Sequence, residues 1–135
     1  MYTILIVDDS PTIRRMVKAS LGELPGAGFA EAGSGLQAIE ALAVSAVQMV
    51  VLDLNMPDMH GLDVLRFIRS HDHYKDVPVL VLTTRGDETS RDAALQGGAS
   101  AYMTKPFLPA TLALSVTELL TLARAHDASV PSHEA

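Results

Sequence analysis

Short apolar runs alternate with helix-period segments along this chain, and that alternation limits the fold more than any other feature. Thr3-Ile4-Leu5-Ile6-Val7 is short, apolar and β-branched, which suits a buried strand. Ser10-Pro11 follows as an N-cap with proline at the first helical position. Ile13, Met16, Val17 and Leu21 then recur at helical spacing until Pro25-Gly26-Ala27-Gly28 breaks the helix. Residues 29–32 make a weak second strand. Ser34 and Gln37 have the spacing of a reciprocal capping box, and Leu36, Ile39, Leu42 and Ala43 give the second helix its apolar stripe. After a third strand, Leu62, Leu65 and Ile68 mark the third helix. Residues 77–82 form a fourth strand, and 87–96 a helix whose apolar residues are mainly Ala93, Ala94 and Leu95, a thin anchor. Gly97-Gly98 stops it, and 99–103 form a fifth strand. Pro109 opens a last helix with the stripe Leu112, Val116, Leu119, Leu120 and Ala123. Strand then helix, five times over, predicts an α/β fold: a doubly wound parallel sheet with right-handed crossovers.

The third strand is the most informative. Met49-Val50-Val51-Leu52 is an unbroken apolar run, as expected of a strand covered on both faces, and it ends abruptly in Asp53. Open α/β sheets bind ligands at the carboxyl ends of their strands. Taken alone, Asp53 reads equally well as a turn or capping residue. Pro57 and Gly61 then turn the chain towards the next helix.

Composition narrows the function classes. With 135 residues the chain has the size of one domain with a real core. No cysteine is present, which excludes disulfides and thiolate metal sites. The amino end lacks the basic segment of a signal peptide, and no apolar run approaches membrane-spanning length, so a cytoplasmic location without membrane insertion is expected. A net charge of −6 argues against direct nucleic-acid binding, which needs basic surface. Residues 1–126 are expected to form the domain. Residues 127–135 are polar and aperiodic, and are expected to be a flexible tail or the start of a linker.

A parallel sheet gathers the carboxyl ends of its strands on one edge. Asp8 and Asp9 from the first strand, Asp53 from the third, Thr83 from the fourth and Lys105 from the fifth therefore converge. Each has a bland reading alone: helix-terminal charges for Asp8-Asp9, a β-branched strand end for Thr83, a solvated cation for Lys105. Together they make a coherent chemistry. Neighbouring carboxylates repel unless one takes up a proton or a cation intervenes. Oxygen-only ligands suit Mg²⁺, for which Mn²⁺ can substitute. A hydroxyl donor and a lysine beside a carboxylate nucleophile describe a socket for a phosphoryl group.

Val7-Asp8-Asp9-Ser10, the run from Leu52 through Asn55-Met56-Pro57-Asp58-Met59-His60 to Gly61, Leu82-Thr83-Thr84, and Tyr102-Met103-Thr104-Lys105-Pro106-Phe107 together resemble the signature of response-regulator receiver domains of the CheY-like, two-component kind. The resemblance spans roughly residues 3–124. It implies a flavodoxin-like five-stranded sheet in the order 2-1-3-4-5 with five helices. Asp53 is similar to the phosphoacceptor. Asp8, Asp9, Asp53 and the main-chain carbonyl of Asn55 resemble the Mg²⁺ site, with Asp8 holding a metal-bound water. Thr83, Thr84 and Lys105 resemble the phosphoryl contacts, and Thr83 and Tyr102 the switch pair. Asn55 and Arg85 flank the reacting group and would tune dephosphorylation. The Lys105-Pro106 bond is expected to be cis.

The implied partners are a histidine kinase or histidine phosphotransfer protein upstream, and a downstream target on the face of the fourth helix, fifth strand and fifth helix. A monomer or a weak phosphorylation-linked dimer fits. Leu114 and Leu122 lie off the last helix's core stripe, either as ordinary exposed leucines or as contacts. Tyr102 reads as a fixed half-buried ring or as a switch. His60, His71, His73, His126 and His133 are scattered, and a solvated role suits them better than metal binding.

The expectation is a single-domain regulator of the chemotaxis or phosphorelay type, not a turnover enzyme. A receiver excised from a longer regulator, with a DNA-binding or enzymatic output domain, is an alternative. So is a haloacid-dehalogenase-like aspartyl phosphatase, although Asn55 stands where that chemistry needs a second Asp. A flavin-binding module would need a Ser/Thr/Gly-rich phosphate loop where Asp8-Asp9 stand.

Overall fold

The computed structural model describes residues 2–129. The elements alternate without exception: β1 (Tyr2–Val7), α1 (Pro11–Leu21), β2 (Ala27–Ala32), α2 (Gly35–Val44), β3 (Met49–Leu52), α3 (Gly61–Ser70), β4 (Val79–Thr83), α4 (Glu88–Gln96), β5 (Ala101–Thr104) and α5 (Pro109–Ser129). All strand pairings are parallel, in the order β2-β1-β3-β4-β5. This is the flavodoxin-like order with its five helices.

Side-chain alternation along the strands divides the core in two. Leu5, Val7, Val50, Leu52, Val79 and Val81 face α2, α3 and α4, where they meet Ala38, Leu42, Val64, Leu65, Ile68 and Ala94. Ile4, Ile6, Met49, Val51, Leu80 and Leu82 face the other way, onto Val17 and Leu21 of α1 and Leu112, Val116 and Leu120 of α5. β3 lies between β1 and β4 and is buried throughout, as its unbroken apolar run requires.

Several local expectations shift. Met16 is 46% exposed and Leu36 57%, and Ala43 is also exposed, so none of them belongs to a core stripe. The buried face of α2 is instead Gly35, Ala38 and Leu42. The capping box is only half reciprocal: Ser34 Oγ accepts from the Gln37 N–H, but the Gln37 side chain accepts from Gly33 rather than from Ser34. β2 begins two residues before the expected 29, since the breaker ends in a strand. α5 runs through Ser129, so residues 127–129, expected in the tail, are helical, and the rest of the tail lies outside the described residues. Ala94 is the one buried residue of α4, in keeping with its thin anchoring. No helix among the described residues is long and apolar enough to cross a membrane.

Candidate functional site at the carboxyl edge of the sheet

β1 and β3 pair in register up to Val7 opposite Leu52, so Asp8 and Asp53 leave the sheet side by side. The Asp53 N–H donates to the Val7 carbonyl at 2.9 Å, which extends the ladder by one step and fixes the direction of the Asp53 side chain. The chain then turns sharply into α3. Gly61 packs on the strand end: its N–H donates to the Leu54 carbonyl at 2.9 Å, and a Cβ there would lie 2.4 Å from the Asp53 carbonyl oxygen. Gly61→Ala must push this turn away from Asp53. An overpacking cost of about 2 kcal/mol is expected, read as a lower urea midpoint at unchanged slope.

Of the residues expected at the sheet edge, the three carboxylates and Lys105 come together. Carboxylate oxygens of Asp8, Asp9 and Asp53 lie within 4.8 Å of one another. Asp8 and Asp53 are buried, while Asp9 is exposed. Lys105 Nζ lies 2.6 Å from Asp8 Oδ2 and 3.6 Å from Asp53 Oδ1. β5 carries it there: the Lys105 N–H donates to the Thr83 carbonyl at 2.8 Å, and the Lys105-Pro106 bond is cis, as expected. Asp53 Oδ1 is buried without any hydrogen bond, which is costly for a polar atom unless something occupies the space beside it. Burial pushes the Asp53 carboxyl above the ordinary aspartate range. Lys105 and the Asn55 N–H pull it down, while Asp8 and Asp9 raise it further.

Thr83 is fully buried at the end of β4, where its Oγ1 accepts from the Arg85 N–H at 3.3 Å. Thr84, Arg85 and Asn55 are exposed. The Arg85 guanidinium lies 3.5 Å from Asp87, the N-cap of α4. Tyr102 is half-buried and packs against the α3–α4 core cluster, with its hydroxyl donating to the Arg85 carbonyl. The site thus combines a desolvated carboxylate, two acidic neighbours and one lysine, with the buried Thr83 at the end of the adjacent strand.

The sequence matches the family described as the response regulator receiver domain over residues 4–117. The chain belongs to the response-regulator receiver family. It is 38% identical over 110 residues to the chemotaxis protein CheY1 of Helicobacter pylori, covering 81% of this chain and 89% of that one. It is 42% identical over 109 residues to the chemotaxis protein CheY-3 of Vibrio cholerae, covering 81% and 84%. Among solved structures, the chemotaxis response regulator CheY4 of Vibrio cholerae superposes with a TM-score of 0.81 at 31% identity, over 88% of this chain and 98% of that one. The molecule is therefore a receiver domain of the CheY-type response regulators of two-component signalling.

Two features of this receiver escaped sequence reasoning. Asp58 Oδ1 and Oδ2 accept from the Gly35 and Leu36 N–H groups at 2.9 and 3.0 Å, so the β3–α3 turn is latched to the start of α2. Those hydrogen bonds hold the Asp58 carboxyl below the usual range. Arg14 reaches from α1 to the Asp8 carbonyl at 2.6 Å. Both contacts join residues that carry no spacing signal. Among the described residues no histidine joins the acidic cluster: His60 caps α3, while His71 and His73 lie beside Tyr74. His126 and His133 lie outside the described side chains.

Proposed function

We propose that Asp53 accepts a phosphoryl group from a phosphohistidine on a histidine kinase or a phosphotransfer protein. The observation that carries this reading is the unpartnered, buried Asp53 Oδ1 beside Lys105 and two further carboxylates. In the step, Asp53 Oδ1 forms a bond to phosphorus as the phosphorus–nitrogen bond of the donor breaks, and the imidazole leaves carrying its electron pair. Lys105, 3.6 Å from the nucleophile, meets the charge on the transferring oxygens.

The residues fit Mg²⁺. Clustered carboxylate oxygens with one lysine between them form an oxygen-only donor set with excess negative charge. Asp8, Asp9, Asp53 and the main-chain carbonyl of Asn55 would hold the ion, and Mn²⁺ suits the same donors. When bound, it supplies neutralisation of the phosphoryl oxygens.

The new dianion draws the Thr83 hydroxyl, with Thr84 at the rim, and Tyr102 responds because its own hydroxyl is tied to the loop that leaves Thr83. α4 follows easily, anchored as it is by Ala94. The β5, α4 and α5 face then contacts a downstream protein; Leu95 of α4 and Leu114 of α5 are exposed. Chemotaxis or phosphorelay signalling in the cytoplasm suits this cycle, as the names of the relatives do. The protein is a monomer or a weak phosphorylation-linked dimer, and not a turnover enzyme.

Stoichiometric, Mg²⁺-dependent labelling by acetyl phosphate tests the reading; sustained turnover of p-nitrophenyl phosphate would replace it with a phosphatase. Arg85 sets the lifetime of the modified state. Its side chain is 54% exposed and within reach of Asp87, and on this reading it hinders incoming water. Arg85→Ala is expected to shorten the lifetime, measured by loss of label after removal of acetyl phosphate.

A further inference from the structure

Every polar atom of Asp8 has a partner. Its N–H donates to the Ala32 carbonyl at 3.0 Å. Its Oδ1 accepts from the Ser10 N–H at 2.9 Å, and its Oδ2 from Lys105 at 2.6 Å. Its carbonyl oxygen accepts from Arg14 Nη1 at 2.6 Å. Asp9, the next residue, is in the opposite condition. Among the described residues its exposed carboxylate makes no hydrogen bond, yet it sits within the acidic cluster. What aims Asp9 is therefore the peptide plane that precedes it. The carbonyl of that plane is held by the bond from Arg14, which is itself paired with Glu31 of β2.

Arg14 is built for this task. Its Nε donates to Glu31 Oε1 at 2.9 Å, so the planar fork is held at two points. Its side chain is only 17% exposed. The Arg14–Glu31 pair alone does not account for that burial, because part-exposed pairs contribute only about 0–1 kcal/mol. Glu31 also receives Lys18 at 2.8 Å, so it is not short of cations without Arg14. Gly33 leaves the space: a Cβ there would stand 3.2 Å from Arg14 Nη1. The start of α1 closes the frame, since the Arg14 N–H donates to the Ser10 carbonyl at 3.0 Å.

We propose that Arg14 is a positioning residue for the acidic pocket. Its guanidinium, seated between Glu31 and the Asp8 carbonyl, fixes the Asp8–Asp9 peptide and so presents the Asp9 carboxylate to a divalent cation. This rests on the phosphoacceptor reading of the pocket and adds a determinant of metal affinity outside the ligand set. A partner of this kind, one step removed from the ligands, sets affinity by about 10-fold or more.

The test is calorimetric titration with MgCl₂ of the full chain and of Arg14→Met, Arg14→Lys, Gly33→Ala and Glu31→Gln, each paired with its urea midpoint and its acetyl phosphate labelling rate. Arg14→Met is expected to weaken Mg²⁺ binding about 10-fold while labelling at saturating Mg²⁺ stays close to that of the unaltered protein. Arg14→Lys should not rescue, because a single ammonium cannot hold both points of the fork. Gly33→Ala crowds the guanidinium without removing it and should weaken Mg²⁺ binding to a smaller degree, which keeps the test open if Arg14→Met folds poorly. Glu31→Gln, which leaves the bond to Asp8, should fall between the unaltered protein and Arg14→Met. Unchanged Mg²⁺ affinity in both Arg14→Met and Gly33→Ala would overturn the role of Arg14 alone. So would a labelling rate at saturating Mg²⁺ that drops as far as the affinity. If the unaltered protein neither binds Mg²⁺ nor labels at Asp53, it is the phosphoacceptor reading that fails.

Discussion

Asp53→Asn is expected to abolish labelling by acetyl phosphate and, in chelator at neutral pH, to raise the unfolding midpoint. The two effects have one cause. Asp53 Oδ1 is buried and accepts no hydrogen bond, so its charge is poorly solvated and free to attack phosphorus. Burial outweighs the pull of Lys105, since the Asp53 carboxyl is raised above its ordinary value. The charged form is therefore a burden on the folded state above the ordinary aspartate pKa, and a neutral amide of the same shape relieves it. Lys105 keeps its shorter contact, 2.6 Å to Asp8, in the variant. Mass spectrometry of the intact protein reads the first effect, and urea unfolding with and without Mg²⁺ reads the second. Mg²⁺ should stabilise the unaltered protein more than the variant, because binding to the folded state alone adds stability that grows with the logarithm of affinity. Label still carried by Asp53→Asn would place the nucleophile elsewhere, while a lower midpoint in chelator would mean that Lys105 outweighs burial.

The sheet and the acidic residues at its edge were readable from residue type alone, because the signals there are abrupt. Val7 gives way to Asp8 and Leu52 to Asp53, and such a break between apolar strand and carboxylate survives any error in helix boundaries. The strand order needed the family resemblance, since alternation by itself leaves the order of a parallel sheet open. The faces of the helices were less legible. α2 reads Gly-Leu-Gln-Ala-Ile-Glu-Ala-Leu-Ala-Val, apolar on nearly every side, so periodicity had no clear stripe to choose. The buried face runs through Gly35, Ala38 and Leu42, and Met59 packs against Gly35. A pattern that weighs hydrophobicity favours Leu36 over glycine and misses that contact. Arg14 and Asp58 went unseen for another reason. Each acts on backbone atoms of a distant segment, and a main-chain acceptor or donor has no letter in the sequence.

Lys105→Met is expected to destabilise the protein by about 3 kcal/mol in chelator and by much less in saturating Mg²⁺. The side chains involved are all largely buried: 11% exposed for Lys105, 4% for Asp8 and 5% for Asp53. Removing the cation leaves two desolvated carboxylates facing each other, which costs far more than losing a surface pair. A divalent cation in the same acidic cluster replaces the missing charge, so the penalty shrinks as Mg²⁺ is added. The same reasoning gives the variant a higher Mg²⁺ affinity, because Asp8 Oδ2 no longer has a lysine 2.6 Å away competing for it. Labelling should nonetheless slow by about 100-fold even at saturating metal, since the lysine that meets the developing charge on the phosphoryl oxygens is gone. Tighter metal binding and slower chemistry in one variant separate Lys105 as a charge from Lys105 as packing. A penalty of equal size with and without Mg²⁺ would show that the methylene stem, rather than the ammonium, is what the fold requires at this position.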